Sequence, residues 1–229
     1  MQGLALIVGA GSGLSAALAR VLSREGYRCV LAARNVDKLA ALAAEIDAEV
    51  VACDASAPNH VDALFERIDA LAVPLAVAVY NASARVRGPL VDLEPAEVER
   101  ALRTTAFGGF LVAQAAARRM LASGAGTMVF TGASASVKGY AQSTTFAMGK
   151  FALRGLAQSM ARELAPQGVH VAHVVIDGGI RSELRPESMD HPDSLLAPQA
   201  IAETYLHLIR QPRSCWTWEI EVRPWMEKF

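Results

Sequence analysis

The sequence predicts an α/β fold, a doubly wound parallel sheet of about seven strands with helices on both faces. Two observations carry this. Strand-like and helix-like stretches alternate from one end of the 229 residues to the other. The inner strands are also nearly continuous apolar runs rather than alternating ones, as expected where crossover helices cover both faces. Hydrophobic residues make up 52% of the chain, enough for one large core, and no linker, repeat or low-complexity block divides it. A single domain over residues 1–229 is expected.

Leu4–Val8 is the first strand. It stops at Gly9 and passes through Gly11, Ser12 and Gly13 into a helix opened by Leu14 and carrying Ala17, Leu18, Val21 and Leu22 at helical spacing. A glycine turn between strand and helix lets backbone N–H groups approach a phosphate, and the helix N-terminus favours its charge. The spacing Gly9-x-Gly11-x-Gly13 is not the commonest dinucleotide fingerprint, and an ordinary tight turn would look the same.

Tyr27–Ala33 is the second strand, ending at Arg34-Asn35, with a helix over about Asp37–Ile46. Glu49–Ala52 is a third, ending at Cys53-Asp54. It precedes a helix marked by Val61, Leu64, Phe65, Ile68 and Leu71. Leu75–Tyr80 is the fourth, ending at Asn81-Ala82. One long helix is expected over Val98–Leu121. Its small patch Gly108-Gly109 suits close packing inside the fold or across a subunit interface. Thr127–Thr131, Val169–Ile176 and Trp216–Val222 complete the strands, with helices over about Phe146–Leu164 and Ala200–Ile209. Residues 181–197 are expected to be a mobile segment over a substrate, and Arg223–Phe229 a tail.

Ligands of such sheets bind beyond the carboxyl ends of the strands. Those ends are Gly9–Gly13, Arg34, Asp54, Asn81, Thr131–Ser136 and Asp177–Ile180, which should line one edge. A net charge of -1 gives no reason to expect a nucleic acid or an acidic membrane as partner. No apolar run approaches the roughly 20 residues of a membrane span. The start Leu4–Val8 reads as a strand, not a signal peptide. Cys29, Cys53 and Cys215 form no C-x-x-C pair. The first two lie in apolar runs, so a reducing, cytoplasmic setting is expected. The five histidines show no metal-ligand spacing, and His170 and His173 in the sixth strand read as structural. Trp216, Trp218 and Trp225 look like core or subunit-interface anchors.

With these strand ends in view, residues 3–222 resemble the short-chain dehydrogenase/reductase family. The resemblance rests on Val8-Gly9-Ala10-Gly11-Ser12-Gly13, Asp54, Asn81-Ala82, the serines after the fifth strand, Lys150, and Asp177-Gly178-Gly179. It implies a Rossmann-type fold, a nicotinamide cofactor, a small carbonyl or related substrate, and a homodimer or homotetramer. It places Gly9, Gly11, Ser12, Gly13 and Leu14 at the pyrophosphate, Asp54 and Asn81 at the adenosine, and Lys150 at the nicotinamide ribose. Gly178, Gly179 and Ile180 would meet the nicotinamide carboxamide. An acid at the end of the second strand would favour NAD; Arg34 stands there instead and has the geometry for the 2′-phosphate of NADP, unless it is merely a solvated arginine. NADP (NADPH) is therefore expected over NAD. Asp54 could equally cap the next turn.

The family's acid/base tyrosine precedes its lysine by four residues, and here that position is Phe146. Phenylalanine shapes a pocket and delivers no proton. The family's asparagine on the long helix is replaced by Thr105, and the catalytic serine is Ser134 or, as second choice, Ser136. A proton would then come by relay through Ser134, from Tyr140, or be unnecessary for a substrate such as an iminium ion or activated alkene. Taken alone, Lys150 could also be a lysine that snorkels its charge to water. Two function classes follow: an NADP-dependent oxidoreductase, or a cofactor-binding sensor or assembly protein without catalysis.

Overall fold

A computed structural model describes residues 2–227. Seven strands, β1 (Leu4–Val8), β2 (Arg28–Ala33), β3 (Glu49–Ala52), β4 (Leu75–Tyr80), β5 (Gly126–Thr131), β6 (Val169–Ile176) and β7 (Glu219–Val222), form one sheet in the order β3-β2-β1-β4-β5-β6-β7. Every pairing is parallel. The helices are α1 (Leu14–Arg24), α2 (Ala40–Ile46), α3 (Pro58–Ala70), α4 (Pro95–Leu102), α5 (Gly108–Ser123), α6 (Thr144–Leu164) and α7 (Pro198–Ile209).

The period of two within β1 explains how an uninterrupted apolar strand serves two cores. Ala5 and Ile7 face Leu18, Leu22 and Tyr205 from α1 and α7. Leu4, Leu6 and Val8 face the other layer, with Phe65, Val112 and Leu153 from α3, α5 and α6. All five residues of β1 are buried, which fits its place near the middle of the sheet.

The chain departs from the expected elements in four places. The long helix starts at Pro95 and is interrupted by a π-helical turn over Arg103–Phe107. There the Tyr80 hydroxyl donates to the Thr104 carbonyl, and the Thr105 hydroxyl accepts the backbone N–H of Ala84 at 3.0 Å. The turn thus ties the helix to the segment leaving β4. Residues 37–39 form a 3₁₀ turn before α2. β7 is shorter than expected because Thr217 bonds the side chain of Gln211 through its N–H and hydroxyl, taking it out of the ladder. Residues 181–197 are irregular yet tied in, through Arg181 N–H to Leu196 O and an Arg181–Glu187 ion pair.

Gly108 and Gly109 pack inside the fold, against Tyr80, Ala55 and Leu153. Trp216 stacks on His170 at 4.9 Å, whereas Trp225 is 78% exposed and is no part of the core of this chain. Both strand histidines are buried. Burial pushes His173 down to about 4, against the pull of Glu219. A neutral His173 lies 3.0 Å from Glu219 Oε2, and Arg154 grips the same carboxylate through two bonds, which pins β7 to α6 and β6. Cys29 and Cys53 are buried and Cys215 is exposed, all as free thiols. The expected tail is described as far as residue 227; its last two residues, Lys228 and Phe229, lie outside the described part. Among the described residues no helix is long and apolar enough to cross a membrane.

Candidate active site

Two cavities open at the carboxyl ends of the strands. The first, about 570 Å³, is lined by Val8, Gly9 and Ala10 after β1, Arg34, Asn35 and Lys38 after β2, Asp54 after β3, and Asn81 after β4. Gly9 has φ +85, and a Cβ there would lie 2.4 Å from the Ala82 nitrogen. Only glycine lets the chain turn so close to the segment leaving β4. Gly11 and Gly13 are half-buried, with open space where a Cβ would be. Ser12 is exposed, and Leu14 is buried at the start of α1. None of Gly11, Ser12, Gly13 and Leu14 lines the cavity.

Asp54 serves as the cap that the sequence left open. Its Oδ1 accepts the N–H of Ser56 at 2.9 Å and its hydroxyl at 2.7 Å. Burial opposes ionisation, but the Ser56 bonds and the charges of Arg34 and His60 hold the carboxyl below its usual range. Asn81 is also partly spent on the fold. Its Nδ2 donates to Ser15 Oγ at 2.7 Å, Ser15 donates to Gly9 O at 3.2 Å, and its backbone N–H goes to Val8 O. The Asn81 backbone N–H is therefore held within the sheet. The chain Asn81–Ser15–Gly9 fixes the glycine turn instead. Lys38, absent from the expected set, lies in the same lining as Arg34. A basic residue on the turn after β2 was visible in the sequence, but only the 3₁₀ turn brings it to the cavity.

The second cavity, about 360 Å³, is lined by Arg85, Arg87, Ser134, Ala135, Tyr140, Ala141, Gln142, Ser143 and Phe146. The chain leaving β4 joins the two, since Ser83 lines the first and Arg85 the second. Ser134 faces this space, whereas Ser136 is fully buried and accepts the Ala133 N–H at 3.1 Å. The guanidinium of Arg85 lies over the Phe146 ring. The sequence reading missed it because a loop arginine carries no periodic signal.

Lys150 follows Phe146 by one helical turn on α6 and is 3% exposed. Its Nζ donates to the Thr131 carbonyl at 2.6 Å and lies 5.7 Å from the Phe146 ring centre. Burial, aided by the charge of Arg85, pushes it down to about 7. The ammonium does not snorkel to water, and it lines neither cavity. Thr105 is buried beside it. A Cβ on Gly149 would come 2.9 Å from the Thr105 Cβ, so Gly149 admits α6 to the π-helical turn. Gly178 and Gly179 lie under Pro224, Leu195, Leu196 and Arg185, and Ile180 pairs with Leu196. Asp177 before them is buried and paired with Lys138 at 3.1 Å. Among the described residues no group of histidines, cysteines and acids could hold a metal ion.

Residues 3–193 match the family model described as short chain dehydrogenase. An uncharacterized oxidoreductase of Staphylococcus aureus is 30% identical over 230 residues, covering 96% of each chain. Among solved structures, a short-chain dehydrogenase from Rhodopseudomonas palustris is 36% identical, covers 97% of this chain and 98% of its own, and superposes with a TM-score of 0.84. A metagenomic short-chain oxidoreductase in complex with NADP is 31% identical, covers 96% of each chain and also gives 0.84. With the seven-stranded parallel sheet and its strand-end clefts, these matches show that the chain belongs to the short chain dehydrogenase family of oxidoreductases.

Proposed function

We propose that this protein is an NADPH-preferring reductase of a small carbonyl compound. The observation that carries the reading is the strand-end cleft that Arg34 and Lys38 line together with Gly9, with no carboxylate at the end of β2. The related metagenomic oxidoreductase that holds NADP supports it. Gly9, Gly11, Ser12, Gly13 and Leu14 take the pyrophosphate at the start of α1. Arg34 and Lys38 take the 2′-phosphate, and Asp54 and Asn81 flank the adenosine. The segment Gly178–Ile180 would hold the nicotinamide end, and Lys150, whose ammonium is given to the Thr131 carbonyl, would act on it through its charge. Bound NADPH supplies a hydride.

Ser134 donates to the carbonyl oxygen on which negative charge develops. Phe146 stands where the family carries its tyrosine and closes the site without giving a proton. Thr105 stands where the family carries an asparagine. The hydroxyls lining the second cavity, on Ser134, Tyr140 and Ser143, convey the proton from solvent. Lys150, poised near neutrality, sets the local charge. We read the protein as cytoplasmic and as a homodimer or homotetramer. The apolar groove of Leu93, Val98, Leu102, Phe107 and Met148 along α4, the π-helical turn and α6 supports self-association.

A second reading, binding without catalysis, is favoured by one observation: Phe146 lacks an ionisable group and an arginine covers its ring. Fluorescence titration with NADPH and NADH tests the cofactor. NADPH oxidation against a panel of ketones, aldehydes, quinones and imines tests the reaction. Turnover of any panel member establishes the reductase; NADPH binding with no oxidation across the panel establishes the second reading.

A further inference from the structure

The cavity of Ser134 and Phe146 carries a charge that the proposed chemistry does not use. Arg85 and Arg87 line it, and Arg185 acts on Arg85 from the segment after β6. The charges that act on Arg85 are those of two more cations, and among the described residues none of the three is paired with an acid. Like charges gathered without counter-charge cost free energy unless a ligand supplies the anion. Arg85 is also held in place. Its guanidinium carbon lies over the Phe146 ring, 3.9 Å from the ring centre, which holds the head group at the cavity while its N–H groups have no acid as partner among the described residues. A guanidinium matches a carboxylate through two parallel bonds. A phenyl ring supports such a cation without offering a hydroxyl that would compete for the guanidinium.

The geometry points to an anion-accepting rim: Arg85 and Arg87 take the carboxylate of a small oxo acid whose carbonyl faces Ser134 from the floor formed by Phe146. This rests on reading the second cavity as the substrate end of the proposed reductase. Its volume, about 360 Å³, admits a compact acid. A substrate of this class also gives Phe146 a use: it is the platform that fixes the recognising arginine.

The test is calorimetric titration of 2-, 3- and 4-oxopentanoate and their methyl esters into the full-length protein, with and without NADPH. Wild type, Arg85→Gln and Arg87→Gln are compared. Both arginines are exposed, so the variants should melt with the wild type. At least one acid should bind about tenfold more tightly than its ester, and Arg85→Gln should abolish that preference, while NADPH affinity stays within about twofold. Equal binding of acid and ester, binding of no acid, or an acid preference that survives both variants overturns the inference. The acid pattern without NADPH oxidation leaves the inference standing and removes the reductase. Oxidation driven equally well by acids and esters does the reverse.

Discussion

The Arg85 guanidinium sits 3.9 Å above the centre of the Phe146 ring, while Lys150 Nζ lies 5.7 Å from the same centre. A single apolar ring thus lies close to two cations, at the position we propose for the family's proton donor. A hydroxyl added to that ring would enter a field that favours its ionised form. Phe146→Tyr should therefore raise NADPH-dependent reduction of simple ketones by about 100-fold, the lower range of general acid catalysis. Initial rates on matched wild-type and variant protein check this. An unchanged rate would mean that Thr105, or the approach of substrate past Arg85, also limits turnover.

The cofactor preference rests on Arg34 and Lys38, which share a cavity lining and have no acid at the end of β2. Arg34→Ala should weaken NADPH by about tenfold or more, as expected for a lost guanidinium–phosphate pair, and NADH by less than about twofold. Lys38→Ala should act in the same direction with a smaller effect, because an ammonium is a point charge without the fork. Fluorescence titrations of both nucleotides check this. Equal losses for the two nucleotides would remove the 2′-phosphate from this end of the cleft.

Much of this was legible beforehand, and the reasons are local. The apolar runs of β1 and β6 and the helical spacing in α1 and α3 need no tertiary context, so strand order in the chain and the strand-end edge could be read directly. Gly9 and Arg34 followed because each ends a strand. Asp54 and Asn81 were placed correctly at the edge, yet their bonds to Ser56 and Ser15 depend on geometry that no spacing reveals. The π-helical turn at Thr105 was invisible for a related reason. It answers to Tyr80, Ala84 and Gly149, which are remote in sequence. Arg85 and Lys38 were passed over because a cation in a loop looks solvated until the loop's path is known.

Gly9 tests the backbone side of the cleft. Its φ of +85 and the 2.4 Å approach to the Ala82 nitrogen leave no room for any side chain. Gly9→Ala should cost at least about 2 kcal/mol, or roughly 5 °C of melting temperature in a chain of this size. NADPH, binding only the folded turn, should recover part of the loss. Thermal melts with and without nucleotide measure both effects. A variant that melts with the wild type would show that the segment leaving β4 yields easily.

Lys150 makes the sharpest pH prediction. Burial, aided by the charge of Arg85, lowers it from 10.5 to about 7 in the folded chain. Between those values the unfolded chain binds more protons at this site than the folded one, so the site's contribution to stability rises with pH. Below pH 7 the penalty is fully present and constant; above 10.5 it is gone. The slope inside the window approaches about 1.4 kcal/mol per pH unit. Lys150→Met removes this titration and leaves the Thr131 carbonyl without its donor, a cost independent of pH. The stability of wild type relative to Lys150→Met should therefore climb steadily from pH 7 to pH 10, and the comparison cancels the tyrosines and cysteines that titrate in both proteins. Denaturant midpoints across that range check it. A difference that stays flat would mean that the ammonium keeps an ordinary affinity for its proton, and that water or a counter-charge reaches it behind Phe146.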